Sequence, residues 1–545
     1  MRKTKSTIGL ALLAVAAGAL ASCGEKAPGS VQFWSSFGAT YKNVLNPICE
    51  KIGSDLGIKV IHESQGSYPD IKKNMMSAIA VGDYPNIAMG YPDHFAEYLG
   101  ADILKPLDEY LSSDLLEDYY EDYMTENYFY DSSSEKHIFA VPFNKSTELL
   151  GYNGTFVEWC KTKDPSLGTL PVSWQEWAEK GPAYLAIYDD LLDNHYCLYG
   201  RQAIDGSVSD LVAKPREGQK DAAGDYHDSE GRVGLIDFTD VKKNQTRLMS
   251  WDATDNAFIT LIKQWGAEYT ELPEDQKTVH PFYRQGDLKF ASSVNQPKVI
   301  ECLRFFKKLN QQRIFGIPSE LNSTFSSDAF ASGNVMFMVC SSGGLSYNTK
   351  TWHSRFRVAP IPYYDDGVTQ RKLVISQGAN ICMTDKGEFD NSIQVINKLT
   401  HGAYQTEWCL QTGYYPCSKS AAESEEYKAF LTEAEPANIQ AVADATGLTY
   451  DEVAASVYSS AARVAYREGS ALNTNEYMTK VKGWTKFVDA AFIGSSSIRD
   501  VVANALKMVI NAVGDVNADS TYKAVIDKLI KDESISDNTN IRIVK

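Results

Sequence analysis

Beyond residue 30 the chain alternates between short β-prone runs and helical stripes. Val31–Trp34 is the first run. Tyr41, Leu45, Ile48 and Ile52 then recur at i, i+4, i+7 and i+11, one face of a helix that Gly57 stops. Ile58–Ile61 predicts a second strand. Ile71, Met75 and Ala78 mark a second helix that begins near Asp70 and closes at Gly82, and Asn86–Met89 predicts a third strand. A βαβαβ opening calls for a parallel sheet with helices on its faces. Farther on, residues 107–135 are acidic and tyrosine-rich and read as a solvated helix and loop. Residues 200–250, rich in Gly, Asp and Lys, read as an insertion, and Ala421–Val488 reads as helix-rich and polar. No internal repeat or low-complexity tract interrupts this pattern.

The start of the chain has a different pattern. Arg2, Lys3 and Lys5 precede an apolar run, Ile8–Leu20, that is short for a membrane span and is followed by small residues. This is the layout of a secretory signal peptide. The junction Leu20-Ala21-Ser22-Cys23-Gly24 resembles the bacterial lipoprotein box, whose cysteine thiol takes a diacylglycerol before the preceding peptide is removed. That resemblance makes residues 1–22 a lipoprotein signal peptide, Cys23 the lipidation point and 23–30 a linker. Acyl chains contribute about 0.8 kcal/mol per buried CH₂, enough in combination to hold the mature protein on a membrane.

A length of 545 residues accommodates two sizeable domains. The formal charge of −17 becomes more negative once the three leader cations are removed, which argues against nucleic acid or bare anionic lipid as partner. An anionic ligand would need a local cationic pocket. Nothing after Cys23 is long and apolar enough to span a bilayer. The cysteines beyond Cys23 form no C-x-x-C pair, so zinc and redox motifs are absent from the sequence, and they read as buried thiols.

Familiar catalytic spacings are missing: no G-x-S-x-G elbow, no H-E-x-x-H, no phosphate-cradling G-x-x-x-x-G-K and no G-x-G-x-x-G after the first strand. Asp515-Val516-Asn517-Ala518-Asp519 mimics the start of a calcium loop. Ser520 and Ile526 stand where Gly and the bidentate Glu belong, so it reads as a polar turn before a final helix. No metal, cofactor or catalytic residue is assigned.

What the chain does carry is an ordered series of short motifs. They are Val31-Gln32-Phe33-Trp34-Ser35-Ser36, Gly66-Ser67-Tyr68, His137 to Thr147 with Tyr152-Asn153, Pro171-Val172-Ser173-Trp174-Gln175-Glu176-Trp177, Phe330 to Met336, Ser341-Ser342-Gly343-Gly344, Val358 to Pro362, Gln377-Gly378-Ala379-Asn380, and Trp408 followed by Thr412-Gly413-Tyr414-Tyr415-Pro416. Ordered over residues 31–417, they resemble the extracellular solute-binding proteins of ABC importers, family 1, and within it the glycerol-3-phosphate-binding branch. The resemblance implies an α/β, two-lobed periplasmic-binding-protein-like fold of the class II type with ligand in the interlobe cleft. Residues 31–145 and 370–412 would form lobe one, and 146–369 and 413–545 lobe two. It further implies a ligand set of Tyr68, Ser146, Ser342, Gly378, Tyr414 and Arg499. That branch has a carboxylate soon after the third strand; here the stretch reads Tyr91-Pro92-Asp93, which brings in Asp93 with a shift of one position.

The residues themselves suit such a site. Tyr68, Tyr414 and Trp34 offer flat amphipathic rings to the CH face of a polyol, though each also suits a lobe core. Ser342 lies in a Ser-Gly-Gly stretch that allows close backbone approach, or simply a tight turn. Ser497 is a good N-cap, which sets Arg499 in the first turn of a helix, where a cation is unfavourable unless an anion completes it. An Arg paired with a surface carboxylate is the plainer reading of that residue. The expected function is a monomeric, membrane-anchored, extracytoplasmic lipoprotein that delivers a glycerol-3-phosphate-like polyol phosphate to ABC permease subunits, closing its cleft on the ligand. The alternatives are a neutral mono- or oligosaccharide ligand in the same importer class, and a surface glycosidase. The latter needs two carboxylates about 5–10 Å apart, and the acidic residues are too scattered to nominate a pair.

Overall fold

The computed structural model describes residues 29–130, 135–203, 207–222, 224–271, 286–288, 291–292, 294–344, 356–448, 450–457, 485–487, 504–531 and 541–543. The expected leader, Cys23 and Arg499 lie outside the described residues.

The opening forms as its periodicity dictates. β1 (Ser30–Ser35) leads into α1 (Ala39–Leu56), which buries Leu45, Ile48, Cys49 and Ile52 on one face. Gly57, at φ 67°, ends it by returning its N–H to Gly53 and Ser54, a left-handed turn in which a side chain is disfavoured. β2 (Lys59–Ser64) precedes α2 (Tyr68–Val81). Ser67 caps α2 in a capping box: its Oγ accepts from the Asp70 N–H, and the Asp70 carboxylate accepts the Ser67 N–H at 2.9 Å. β3 (Ile87–Gly90) is followed by α3 (Pro92–Gly100). β1 lies parallel to both β2 and β3.

Two sheets organise the molecule. The first has the order β2, β1, β3, Asn380–Met383, Ala140–Pro142. The second is seven-stranded; Ser146–Asn153 lies between Phe337–Ser341 and Leu373–Gln377, Phe356–Ala359 pairs with it too, and Thr485–Phe487 extends the far side. The chain therefore passes from first sheet to second through 143–145 and returns through 378–379.

This topology moves two expected boundaries. The expected lobe one resumes at residue 370, whereas Leu373–Gln377 pairs with Ser146–Asn153 in the second sheet, so the change of sheet falls at Gly378. The expected lobe two takes in 413–545, whereas the helices Lys419–Ala422 and Glu425–Thr432 pack on Gly402–Thr412, which itself packs on α1. The Ser420 N–H and hydroxyl both donate to Asp118 on the same side. Helices Ala505–Ile510 and Asp519–Ile530 do join the second lobe, against Gln296–Gln311, where Arg304 pairs with Asp519.

Two further expectations change in detail. Residues 107–135 are not simply solvated: Glu117, Glu121 and Asp122 face water, while Tyr119 and Tyr123 are completely buried and Glu126 points inward. The 200–250 region is a small antiparallel sheet, Val233–Asp237, Tyr196–Gln202 and Val208–Pro215, knit by Arg232–Asp228 and Lys214–Asp228 pairs, but its last strand, Met249–Trp251, belongs to the second main sheet. All eight cysteines from Cys49 to Cys417 are buried, unpaired thiols. Among the described residues no helix is long and apolar enough to cross a membrane.

Candidate functional site

In open α/β sheets, ligands gather beyond the carboxyl ends of parallel strands, where helix N-termini and loops present unsatisfied groups. In the first lobe those ends are Ser35–Phe37, Ser64–Tyr68 and Gly90–Tyr91; in the second, where Met249–Trp251 runs parallel to Phe337–Ser341, they are Asp252 and Ser342–Gly344. Both crossovers and the Tyr414–Pro416 turn converge between them.

Aromatic rings from three elements meet there. Tyr68, the first residue of α2, packs against Tyr91 with centroids 4.5 Å apart. Tyr414 lies flat on Trp408, 6.1 Å between centroids and 7° between planes, with Tyr41 of α1 5.7 Å away. Phe37 and Phe143 back this group. The Tyr41 hydroxyl donates to the Gly343 carbonyl at 3.4 Å, joining a first-lobe helix to a second-lobe loop.

Asn144, on the first crossover, is completely buried, and neither its amide nitrogen nor its carbonyl oxygen has a well-aligned hydrogen-bond partner. The hydroxyls of Tyr68 and Tyr414 stand close enough to interact with that carboxamide. Burial raises the acidity constants of Tyr68, Tyr414 and Tyr41, with neighbouring phenols adding to the rise for Tyr414 and Tyr41. All three therefore remain neutral hydroxyls near neutral pH, able both to donate and to accept. The Ser36 hydroxyl, within reach of Tyr68, is likewise buried and without an aligned partner. Buried polar groups without well-aligned partners are costly and rare, and here several of them cluster at the lobe junction.

The expected residues divide accordingly. Tyr68 and Tyr414 come together through Asn144. Ser342 is buried, and its Oγ accepts the Thr147 N–H at 3.0 Å, so its side chain secures the loop to the adjoining strand. Gly343 beside it is also buried and meets the first lobe through its backbone, its carbonyl accepting the Tyr41 hydroxyl and its N–H donating to Ser341 Oγ. Ser146 is buried where the second-sheet strand begins, opposite Gln377. Gly378, at φ 100°, is glycine because a Cβ would stand 1.9 Å from the Asn144 main-chain oxygen; its lack of a side chain accommodates the other crossover. Asp93 lies in the first turn of α3, two residues from Tyr91. Trp34 stays on its own sheet, donating its indole N–H to Glu63 at 3.0 Å. Sequence reasoning passed over Asn144, Tyr41 and Tyr91. Asn144 stood inside the crossover motif, and Tyr41 was counted with the buried face of α1.

Two polar arrays nearby belong to the lobe interiors. Ser35, His62 and Asn46 form a chain, with His62 Nε2 2.7 Å from Ser35 Oγ and His62 Nδ1 2.6 Å from Asn46 Oδ1. Ser35 is fully buried, and burial pushes His62 down to about 4, so this neutral chain ties β1, β2 and α1 together. In the second lobe Glu148 accepts from the Trp251 indole at 2.9 Å, and burial pushes its carboxyl up to about 8. No grouping of His, Cys, Asp and Glu suited to a metal occurs among the described residues.

Two α/β lobes joined by crossing strands, with aromatic and amide groups at the junction, define a protein that holds a small molecule. Residues 48–438 match the family described as bacterial extracellular solute-binding protein, and the chain belongs to that family. No curated protein matches the sequence. Solved structures share the fold. UgpB from Mycobacterium tuberculosis, in complex with glycerophosphocholine, is 15% identical with a TM-score of 0.58, covering 92% of this chain and 97% of that one. The GacH receptor of Streptomyces glaucescens, solved unliganded and with acarbose, is 14% identical with a TM-score of 0.57, over 92% and 99% of the two chains. The maltose/maltodextrin-binding domain MalE of Bdellovibrio bacteriovorus, bound to maltotriose, is 14% identical with a TM-score of 0.54, over 92% and 100%. The two-lobed expectation holds, and the protein belongs to a family of extracellular solute-binding proteins.

Proposed function

We propose that this protein captures a small polyhydroxylated molecule, a polyol phosphate of the glycerol-3-phosphate kind, in the cleft between its lobes and presents it to ABC permease subunits while anchored through a lipid on Cys23. The observation that carries the reading is Asn144: a fully buried carboxamide whose donor and acceptor lack well-aligned partners, within reach of two tyrosine hydroxyls, at the point where the lobes join. A hydroxyl-bearing ligand satisfies those groups while the rings of Tyr68 and Tyr414 cover its CH faces. Arg499 supplies the cation for the phosphate by a two-pronged hydrogen bond. UgpB from M. tuberculosis, with its glycerophosphocholine, agrees with the phosphate-bearing form. The acarbose and maltotriose complexes of other neighbours favour the second reading, a neutral sugar in the same cleft.

A thermal-shift and calorimetric panel of glycerol 3-phosphate, glycerophosphocholine, maltose and maltotriose tests both. Ligand at a hundredfold excess over Kd adds about 2.7 kcal/mol of stability. Arg499→Ala abolishes binding of the phosphorylated ligands and leaves the melting temperature of the free protein nearly unchanged; Arg499→Lys also binds poorly, because an ammonium lacks the planar fork. Wild-type affinity in both variants for a phosphorylated ligand would remove Arg499 from the site, and binding of maltotriose alone would establish the sugar reading.

A further inference from the structure

Lys145 and Glu126 form an ion pair out of reach of solvent. Nζ lies 2.6 Å from Glu126 Oε1, with side-chain exposures of 0% and 4%. The ammonium also donates to the Gly378 carbonyl at 3.1 Å and stands 5.4 Å from the centre of the Tyr123 ring. Glu126 Oε1 accepts a second hydrogen bond, from Asn380 Nδ2, at 2.7 Å. The main chain around Lys145 is as heavily engaged. Its carbonyl accepts the Tyr415 N–H at 3.1 Å, and the Ala379 carbonyl accepts both the Phe143 and Asn144 N–H groups, at 3.3 and 3.2 Å. Segments 143–146, 377–380 and 414–415 thus meet on this one residue, at the level where the chain passes between the sheets.

Holding three segments together needs no charge. Taking an ammonium and a carboxylate out of water is expensive, and apolar packing of the same volume holds a core at least as well. What a lysine adds is directed hydrogen bonding from a flexible four-carbon stem. Its head is tied to Glu126 and Tyr123 of the first lobe and to the Gly378 carbonyl on the other crossover, while its own main chain leads into the second-lobe strand. Backbone torsions on either side can therefore turn while the head keeps its partners. Asn144, whose buried carboxamide lacks well-aligned partners, is its immediate neighbour.

We propose that Lys145 and Glu126 are positioning residues of the hinge: the buried pair is the pivot about which the lobes turn, and it sets where Asn144 stands in the cleft. Only the affinity arm of the test rests on the solute-binding reading above. Lys145→Met alone leaves Glu126 charged and buried, and can fail to fold. The informative variant is Lys145→Met combined with Glu126→Gln, which removes both charges and keeps the volume. Amide hydrogen exchange and small-angle scattering are recorded on the ligand-free proteins, then calorimetry with glycerophosphocholine and with maltotriose. The double variant is expected to stay folded, with the Phe33 and Val339 amides as protected as in wild type. The Phe143, Asn144 and Tyr415 amides should exchange about tenfold faster or more, the ligand-free scattering profile should change, and whichever probe wild type takes should bind about tenfold more weakly. Wild-type exchange at those three amides with an unchanged profile overturns the proposal. So does a uniform rise in exchange through both sheets, the mark of a pair that merely adds stability. If wild type binds neither probe, the ligand reading is what fails, and the exchange and scattering results still decide the pivot.

Discussion

The ring of Tyr414 occupies the space that a side chain on Gly343 would need: a Cβ there would stand 2.8 Å from Tyr414 Cε1. Since the same ring lies flat on Trp408 and beside Tyr41, it has little freedom to withdraw. The second-lobe loop thereby comes up against a first-lobe aromatic wall with only backbone between them. Gly343→Val should tilt Tyr414 out of its stack and hold the cleft mouth apart. Overpacking of this kind costs about 1–3 kcal/mol, so a modest fall in melting temperature is expected, with a tenfold or greater loss of ligand affinity. Equal affinity by calorimetry would mean that the loop does not approach Tyr414 in the bound form.

Asn144→Leu separates stability from binding. The substitution keeps the side chain's size and removes two buried polar atoms that lack aligned partners, so the ligand-free protein should be as stable as wild type or more so. Binding should be lost. Chemical denaturation and calorimetry on the same preparation check both signs, and a destabilised variant that still binds would show that the carboxamide serves the fold.

Glu148 makes stability depend on pH with a defined sign. Its folded carboxyl titrates at about 8 against an ordinary 4.5, because burial penalises the charged form. Between those values the native state holds a proton the unfolded state has released, so stability falls as pH rises from 4.5 to 8. Asp252, also raised by burial, acts in the same direction. His62, lowered to about 4, acts oppositely between pH 4 and 6.5, so the variant rather than the wild-type profile is diagnostic. Glu148→Gln keeps an acceptor for the Trp251 indole and removes the ionisation. Urea denaturation should find its stability relative to wild type greater at pH 8 than at pH 5, and an identical difference at both would exclude Glu148 as the source.

Cys23→Ser should release the protein from membranes, because under the proposed anchoring the thiol is the group that carries the lipid. Fractionation of cells expressing the variant, with mass measurement of the mature chain, checks this; a variant still wholly membrane-bound and lipid-modified would rule the anchor out.

Much of this protein was legible along the chain. The stripe Leu45, Ile48 and Ile52 with Gly57 after it, and Ile71 and Met75 with Gly82 closing α2, specify local structure through contacts between near neighbours, and each formed where its spacing required. The ordered motifs from Val31 to Pro416 pointed to the family for the same reason: turns and crossovers are short and keep their residues adjacent. What the tertiary structure decided was which distant groups share a space. Leu373–Gln377 reads as a strand in any sheet, and only pairing with Ser146–Asn153 assigns it to the second. Gly378 and Ser342 read as members of a ligand set, and only the fold shows that one makes room for the Asn144 main-chain carbonyl and the other holds the Thr147 N–H. Tyr123 sits in an acidic run that reads as solvated and is buried beside Lys145, whose partner Glu126 lies on a separate segment. Burial and pairing of this kind depend on segments more than two hundred residues apart, as Lys145 and Gly378 are, and hydrophobic periodicity reports only on which side of its own element a residue lies.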